Sequence, residues 1–359
     1  GTALFEHRFG DSAQLNLKAR YIDSDLTYLT HYPNSYSNPA SPYLDADQRQ
    51  IGLYVDGSVA RMEIFSTDNN VRLDFATGSA IEHTLLAGID FSFNRVRKIG
   101  GFGFEIIDIY DVDYGALSDY GGGLPPPVSQ REDTHQDQVG VYVQNQARFF
   151  DRVSLVLGAR RDWTSARSFA GPRRHDAATT YRVGLIGEIV PGVSPFASYT
   201  ESFEPIAGTD SQGAAFIPKR GRQYEAGIKF HPADSILLTL TGYHIKETNR
   251  PVSDDSTPAP FDQIQLGSLT SKGVELEGTA TFPGDISLIA AASYNEAELD
   301  GTDRQLDNVP KFNASLWATK GFALGGDVAL LVGGGVRHVG KNRSFGPAFP
   351  DGIVTPGFT

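Results

Sequence analysis

The sequence predicts an all-β protein: a transmembrane antiparallel β-barrel with about 14 strands in this chain. Two observations carry that expectation. Apolar and polar residues alternate with period two from end to end, and the connections between alternating segments are short and long by turns. A third narrows it. No run of 18 or more apolar residues occurs, so no membrane-spanning helix is predicted.

The alternation is plain segment by segment. Leu15, Leu17, Ala19 and Tyr21 are separated by Asn16, Lys18 and Arg20. Leu85, Ala87, Ile89, Phe91 and Phe93 alternate with Thr84, Gly88, Asp90 and Ser92, with Leu86 breaking the polar face. Val139, Val141, Val143 and Ala147 alternate with Gly140, Tyr142, Gln144 and Gln146, and Val153, Leu155, Leu157 and Ala159 with Ser154, Gly158 and Arg160. Tyr224, Ala226, Ile228 and Phe230 face away from Glu225, Gly227 and Lys229. Val274, Leu276 and Ala280 face away from Glu275, Glu277 and Thr279. Successive strand side chains point to opposite faces, so each segment has one apolar and one polar face.

Short connections are expected near Gly10-Asp11, Gly78-Ser79, Asp151-Arg152, Pro191-Gly192, Pro232-Ala233, Pro283-Gly284 and Gly325-Gly326. Long ones are expected near 23–47, 96–136, 166–177, 205–220, 248–267, 299–309 and 342–355. Such asymmetry, with strands of about 10 residues, is what a tilted bilayer crossing requires. Phe149, Phe150, Phe230, Phe282 and Phe322 cluster near the short turns, as an interfacial aromatic belt would. A spanning sheet must close on itself to pair its backbone groups. A closed 14-strand barrel and part of a larger one both fit the pattern.

Composition excludes several classes. Cysteine is absent, which rules out disulfides and thiolate metal sites within this chain. A formal net charge of −12 argues against nucleic acid, because phosphate recognition needs clustered Lys and Arg. The eight histidines are dispersed without metal-ligand spacing, and no hydrolase, zincin or phosphate-loop motif occurs, so no enzyme is expected.

Several segments, in order, resemble the barrel of TonB-dependent ferric-siderophore receptors of the ferrichrome type. Val141–Gln146 resembles the family's YVQDQ strand, and Leu157–Asp162 its GxRxD strand. Phe196–Pro205 is similar to YASYSxSFxP, and Gly221–Lys229 to GxQYExGIK. Leu266–Glu277 resembles GxxxSxGxExE, Asn308–Trp317 NVPxHxxSLW, and Gly333–Gly340 GxGxRYVG; Pro356–Thr359 resembles the start of PxYTxxD. The resemblance implies a barrel of roughly 22 strands with a plugged lumen. On that footing residues 1–359 are one partial outer-membrane barrel domain, with the N-terminal plug and the C-terminal strands expected to be missing from it.

The resemblance also implies the partners: a ferric siderophore as transported ligand, TonB acting through the missing plug, and outer-membrane lipid. No resident cofactor is expected, the Fe(III)-siderophore being cargo. In the family, ligand contacts come from extracellular-loop and upper-barrel aromatics together with the plug apices. The candidates here are Phe102, Phe104, Tyr110, Tyr114, Tyr120, Trp163, Phe203 and Phe216, with Tyr28, Tyr32 and Tyr36 in the wider pool. The Gly121–Pro127 stretch within 96–136 reads either as a mobile loop closing over ligand or as a plain surface loop. The alternative to an energy-coupled receptor is a passive, plugless, cation-selective channel lined by carboxylates such as Glu225, Glu275 and Glu277.

Overall fold

The computed structural model describes residues 1–35, 38, 41–169, 171–253, 263–265, 267–300, 305–346 and 349–359. Among the described residues eighteen strands follow one another: β1 (Thr2–Arg8), β2 (Ala13–Pro33), β3 (Gln50–Thr77), β4 (Ile81–Asp108), β5 (Ser129–Phe149), β6 (Val153–Ser168), β7 (Arg174–Gly187), β8 (Val193–Glu204), β9 (Lys219–Ala233), β10 (Ile236–Thr248), β11 (Pro251–Ser253), β12 (Gln263–Gln265), β13 (Ser268–Phe282), β14 (Ile286–Leu299), β15 (Phe312–Gly325), β16 (Val328–Val339), β17 (Asn342–Gly346) and β18 (Phe349–Thr355). Fourteen of them, β1–β10 and β13–β16, form one antiparallel sheet in which each pairs with its neighbour in the chain. The hairpins β11–β12 and β17–β18 stand in two of the long connections. The predicted all-β architecture is therefore what the fold contains, and its 14 strands are those of the main sheet.

Register ties the strands into two continuous faces. Leu15 pairs with Val71, Val71 with Ala87, Ala87 with Val143, and Val143 with Ala159. Further along, Ile228 pairs with Leu240, Leu240 with Leu276, and Leu316 with Val336. All of these lie on the apolar face. Leu185, Leu240 and Val274 on it are 50%, 47% and 51% exposed. Water would penalise so large an exposed apolar band, whereas lipid is its natural solvent. The accessible surface of 22,331 Å² is half again the roughly 14,000 Å² of a globular monomer of this mass, as expected of a sheet with no second layer. The opposite face carries Asp68, Asp90, Arg160, Asp162, Glu225, Glu275 and Glu277. In a barrel closed within lipid the apolar face lies outward and this polar face inward.

The short turns fall close to where the sequence places them. At β5–β6 both central residues, Phe150 (φ 50°) and Asp151 (φ 57°), are left-handed and the Arg152 N–H returns to the Phe149 carbonyl at 3.0 Å. That twist matches the flanking strands and permits a tight hairpin. The β9–β10 turn lies at residues 234–235, two positions later than expected.

The first two long connections are shorter than the sequence implies. β2 runs on to Pro33, β4 to Asp108, and β5 begins at Ser129, so the expected loops 23–47 and 96–136 contract to 34–49 and 109–128. At about 3.3 Å per residue the 28-residue strands β3 and β4 extend roughly 90 Å, several times an apolar band of about 25 Å. Above that band neither face meets lipid, so the clean alternation that announces a strand is lost while the ladder continues. Much of the expected 248–267 connection, Leu266 and Tyr36 lie outside the described residues.

Candidate functional site

The sheet's tallest part, β2 to β5, builds a wall of aromatic side chains on the inward face at the long-loop end. Tyr32 pairs with Tyr54, Tyr54 with Phe104, and Asp56 with Phe102, all even-numbered and on the side of the inward polar residues. Tyr54 meets Phe102 at 5.2 Å and Phe104 at 6.1 Å between ring centroids, tilted and edge-on respectively. Such offset contacts are the favoured geometry for aromatic rings. The Tyr28 and Tyr32 hydroxyls hydrogen-bond to one another on the same face. Phe102 and Phe104 remain half exposed, so their ring faces are open to a ligand.

Polar groups bound this surface. The Arg131 guanidinium donates to the Asp56 carboxylate at 2.8 Å and to the Gly101 carbonyl at 2.9 Å, from a register shift where β5 leaves its pairing with β4. Lower on the same face, Arg160 bridges Asp90 and Asp162, Gln138 donates to Asp162 at 2.8 Å, and the Tyr142 hydroxyl donates to Asp68 at 2.6 Å. Asp162 is 2% exposed, so its charge is held by these donors rather than by water. The surface thus offers apolar ring faces, hydroxyls and paired charges, suited to a ligand that is itself part apolar and part polar.

The expected site residues divide by face. Phe102 and Phe104 come together on the wall, joined by Tyr28 and Tyr32 from the wider pool. Tyr110 and Tyr114 stand exposed in the 109–128 connection, Tyr110 beneath the Arg49 guanidinium at 5.5 Å. Arg49 also pairs with Asp108 at 2.7 Å, and the Tyr110 N–H together with Arg49 holds the Asp108 carboxyl below its usual range. Tyr120 lies on the opposite side of the hairpin, where its hydroxyl donates to Glu105 at 3.1 Å; burial and then that carboxylate raise its pKa. Trp163 pairs with Val139 on the outward face, with Arg161 5.7 Å from its ring. Phe203, also outward, lies beneath Arg220 at 5.7 Å. Phe216 is buried against Gly208.

Tyr54, Asp56 and Arg131 were not among the expected residues. Counting parity upward from Asp68 through β3 would have placed Tyr54 and Asp56 inward. Arg131 carried no comparable signal, because it sits at an irregularity that breaks parity. Among the described residues no cluster of three or more potential metal ligands forms.

Residues 2–359 match the family model described as TonB dependent receptor-like, beta-barrel. The chain is 31% identical to the ferrichrome outer membrane transporter/phage receptor of Escherichia coli (strain K12), over 94% of this chain and 48% of that protein. It is 28% identical to the ferrioxamine B receptor of Salmonella typhimurium (strain LT2), over 93% of this chain and 47% of that protein. The chain therefore spans about half the length of these relatives. The crystal structure of the ferric preacinetobactin receptor BauA from Acinetobacter baumannii shares the fold, with a TM-score of 0.77 at 19% identity, covering 98% of this chain and 53% of that one. These relatives are receptors and transporters rather than enzymes. With one apolar outward face, one polar inward face and a match along nearly its whole length, this chain belongs to the TonB-dependent receptor-like β-barrel family of the outer membrane.

Proposed function

We propose that this chain is the barrel portion of a receptor that binds a ferric siderophore and imports it with energy delivered by TonB. The single observation that carries the ligand-binding half is the inward aromatic wall of Tyr28, Tyr32, Tyr54, Phe102 and Phe104. It stands above the apolar band, where a ligand arriving from the long-loop side meets the barrel first. The similarity to ferrichrome and ferrioxamine B receptors supports the ligand class.

The work of such a site is recognition, without covalent chemistry. A ferric chelate presents an apolar periphery and a ring of carbonyl and amide groups. Ring faces cover the periphery, while the tyrosine hydroxyls and the Arg131–Asp56 pair offer donors and acceptors. Because the Arg131 charge is already matched by Asp56, the wall favours no strongly anionic ligand at that point. Release into the periplasm would be driven through a plug that TonB pulls, a part the family supplies outside these strands.

The test uses the full-length receptor that contains this chain. Ferrichrome and ferrioxamine B are titrated onto the purified protein, and iron uptake is followed in cells with and without an energised inner membrane. Saturable binding and energy-dependent uptake are expected. Uptake that persists without energy would support the passive channel instead.

A further inference from the structure

The segment leading out of the 109–128 connection is seated in a socket on the back of the wall. On the odd-numbered face of the same hairpin, Gly57 pairs with Gly101 and Val55 with Gly103. Three glycines so close together weaken strands that could carry β-branched residues, so the gap they leave calls for an occupant. Pro125 fills it. A Cβ at Gly57 would lie 2.6 Å from the Pro125 Cδ and 3.2 Å from Leu124, and one at Gly101 would strike the Pro125 carbonyl. A Cβ at Gly103 would lie 2.6 Å from the Tyr120 hydroxyl and 3.2 Å from the Pro125 Cβ, so Tyr120 closes the socket beside the proline.

Pro125 and Val55 are the largest fully buried side chains among the described residues. Proline suits a socket of this kind because it brings no N–H that would need a buried partner. Two residues from Gly103, Glu105 gathers the rest of the segment. It accepts from the Ser118 N–H at 3.2 Å and the Tyr120 hydroxyl at 3.1 Å, and faces His31 Nε2 at 3.4 Å.

We propose that residues 118–125 are a fixed buttress rather than a lid, and that Glu105 and Pro125 are positioning residues that hold the aromatic wall preformed. The inference rests on the ligand-binding reading above. A hairpin projecting beyond the membrane has solvent on both sides and little to hold its shape. Covering its outward face with a proline socket and a carboxylate clasp fixes β3 and β4, so Tyr54, Phe102 and Phe104 need no ordering when ligand arrives. The two readings of the Gly121–Pro127 stretch, closing loop and surface loop, thereby give way to a third.

A disulfide tests this directly in the full-length receptor. Gly103→Cys with Pro125→Cys places two Cβ atoms within a few tenths of an ångström of disulfide spacing, in a chain otherwise free of cysteine, with the Tyr120 hydroxyl at the far end of its side chain shifting to make room. With ferrichrome and ferrioxamine B as probes, the oxidised form, in which the segment is tied down, should bind and import within about twofold of wild type. Loss of uptake on oxidation that a reductant restores would show that the segment must lift, and would overturn the proposal. Should wild-type receptor bind neither probe, the ligand reading fails, and hydrogen exchange without ligand decides the buttress separately. Slow exchange at the Ser118 N–H and along residues 101–105 supports it; rapid exchange at Ser118 overturns it.

Glu105 supplies the second variant pair. Glu105→Gln keeps an acceptor for Ser118 and Tyr120 and should bind as wild type. Glu105→Ala should weaken binding about tenfold while leaving the maximal uptake rate unchanged. Equal effects of the two variants, or a fall in maximal rate, would count against a positioning role.

Discussion

At the scale of single residues, parity along a strand decides what an aromatic side chain can do. Phe104 and Trp163 are both exposed rings, yet one points inward and the other outward. Truncating Phe102 or Phe104 to Ala should weaken ligand binding by about 1–2 kcal/mol each, roughly 5- to 30-fold in Kd. Trp163→Ala should leave Kd unchanged. Isothermal titration of the three variants checks both halves of the expectation.

Charge at the long-loop end gives a second residue-scale prediction. Asp300 accepts from the Ser268 and Thr270 hydroxyls and pairs with Lys246 at 3.1 Å, and these contacts, Ser268 foremost, lower its pKa to about 2. A depressed carboxylate stabilises above its unfolded value of about 3.9 and loses that contribution as pH falls through the folded value. Protection of the Asp300 N–H, bonded to the Ser268 carbonyl at 2.8 Å, should therefore hold from pH 7 to about 4 and fade toward 2. Asp300→Asn should remove that pH dependence. The sequence showed which residue types could serve a ligand but not which face they occupy. Tyr54 was legible in principle, through parity counted from Asp68, and Arg131 was not, because a register shift hides it.

At the scale of elements, the membrane band was readable because lipid imposes one rule on every strand that crosses it. Val139, Val141 and Val143 obey that rule, and so do Val274 and Leu276. The upper parts of β3 and β4 escape it. There Gly101 and Gly103 read as loop residues, whereas they are strand positions emptied to admit Pro125. A glycine inside a strand marks a close approach as readily as a turn, and the sequence does not say what approaches. Gly101→Val should drive Pro125 out of its socket at a cost of about 1–3 kcal/mol to the local structure. Limited proteolysis should then cut within 109–128 faster than in wild type, while the membrane-embedded strands stay resistant.

At the scale of the whole molecule, the outermost strands of the sheet are β1 and β16. The chain turns back on the second of these after the β17–β18 hairpin: Val339 and Phe358 exchange both backbone hydrogen bonds, at 2.9 and 3.0 Å. Pro356–Thr359, which resembles the beginning of a further family strand, thus starts antiparallel beside β16. Fold class, strand number and family were all legible in the sequence, since a barrel wall repeats the same two-residue rule with every crossing. The site was less so, since it depends on how four long strands line up above the membrane.

The wall is proposed to receive a ferric siderophore for energy-coupled import. The most direct test is uptake of radiolabelled ferrichrome and ferrioxamine B by cells carrying the full-length receptor, wild type against Phe102→Ala with Phe104→Ala. Saturable uptake that requires TonB and whose half-saturation rises at least about tenfold in the double variant is the expected result. Uptake of neither probe, or uptake indifferent both to the substitutions and to TonB, would contradict it.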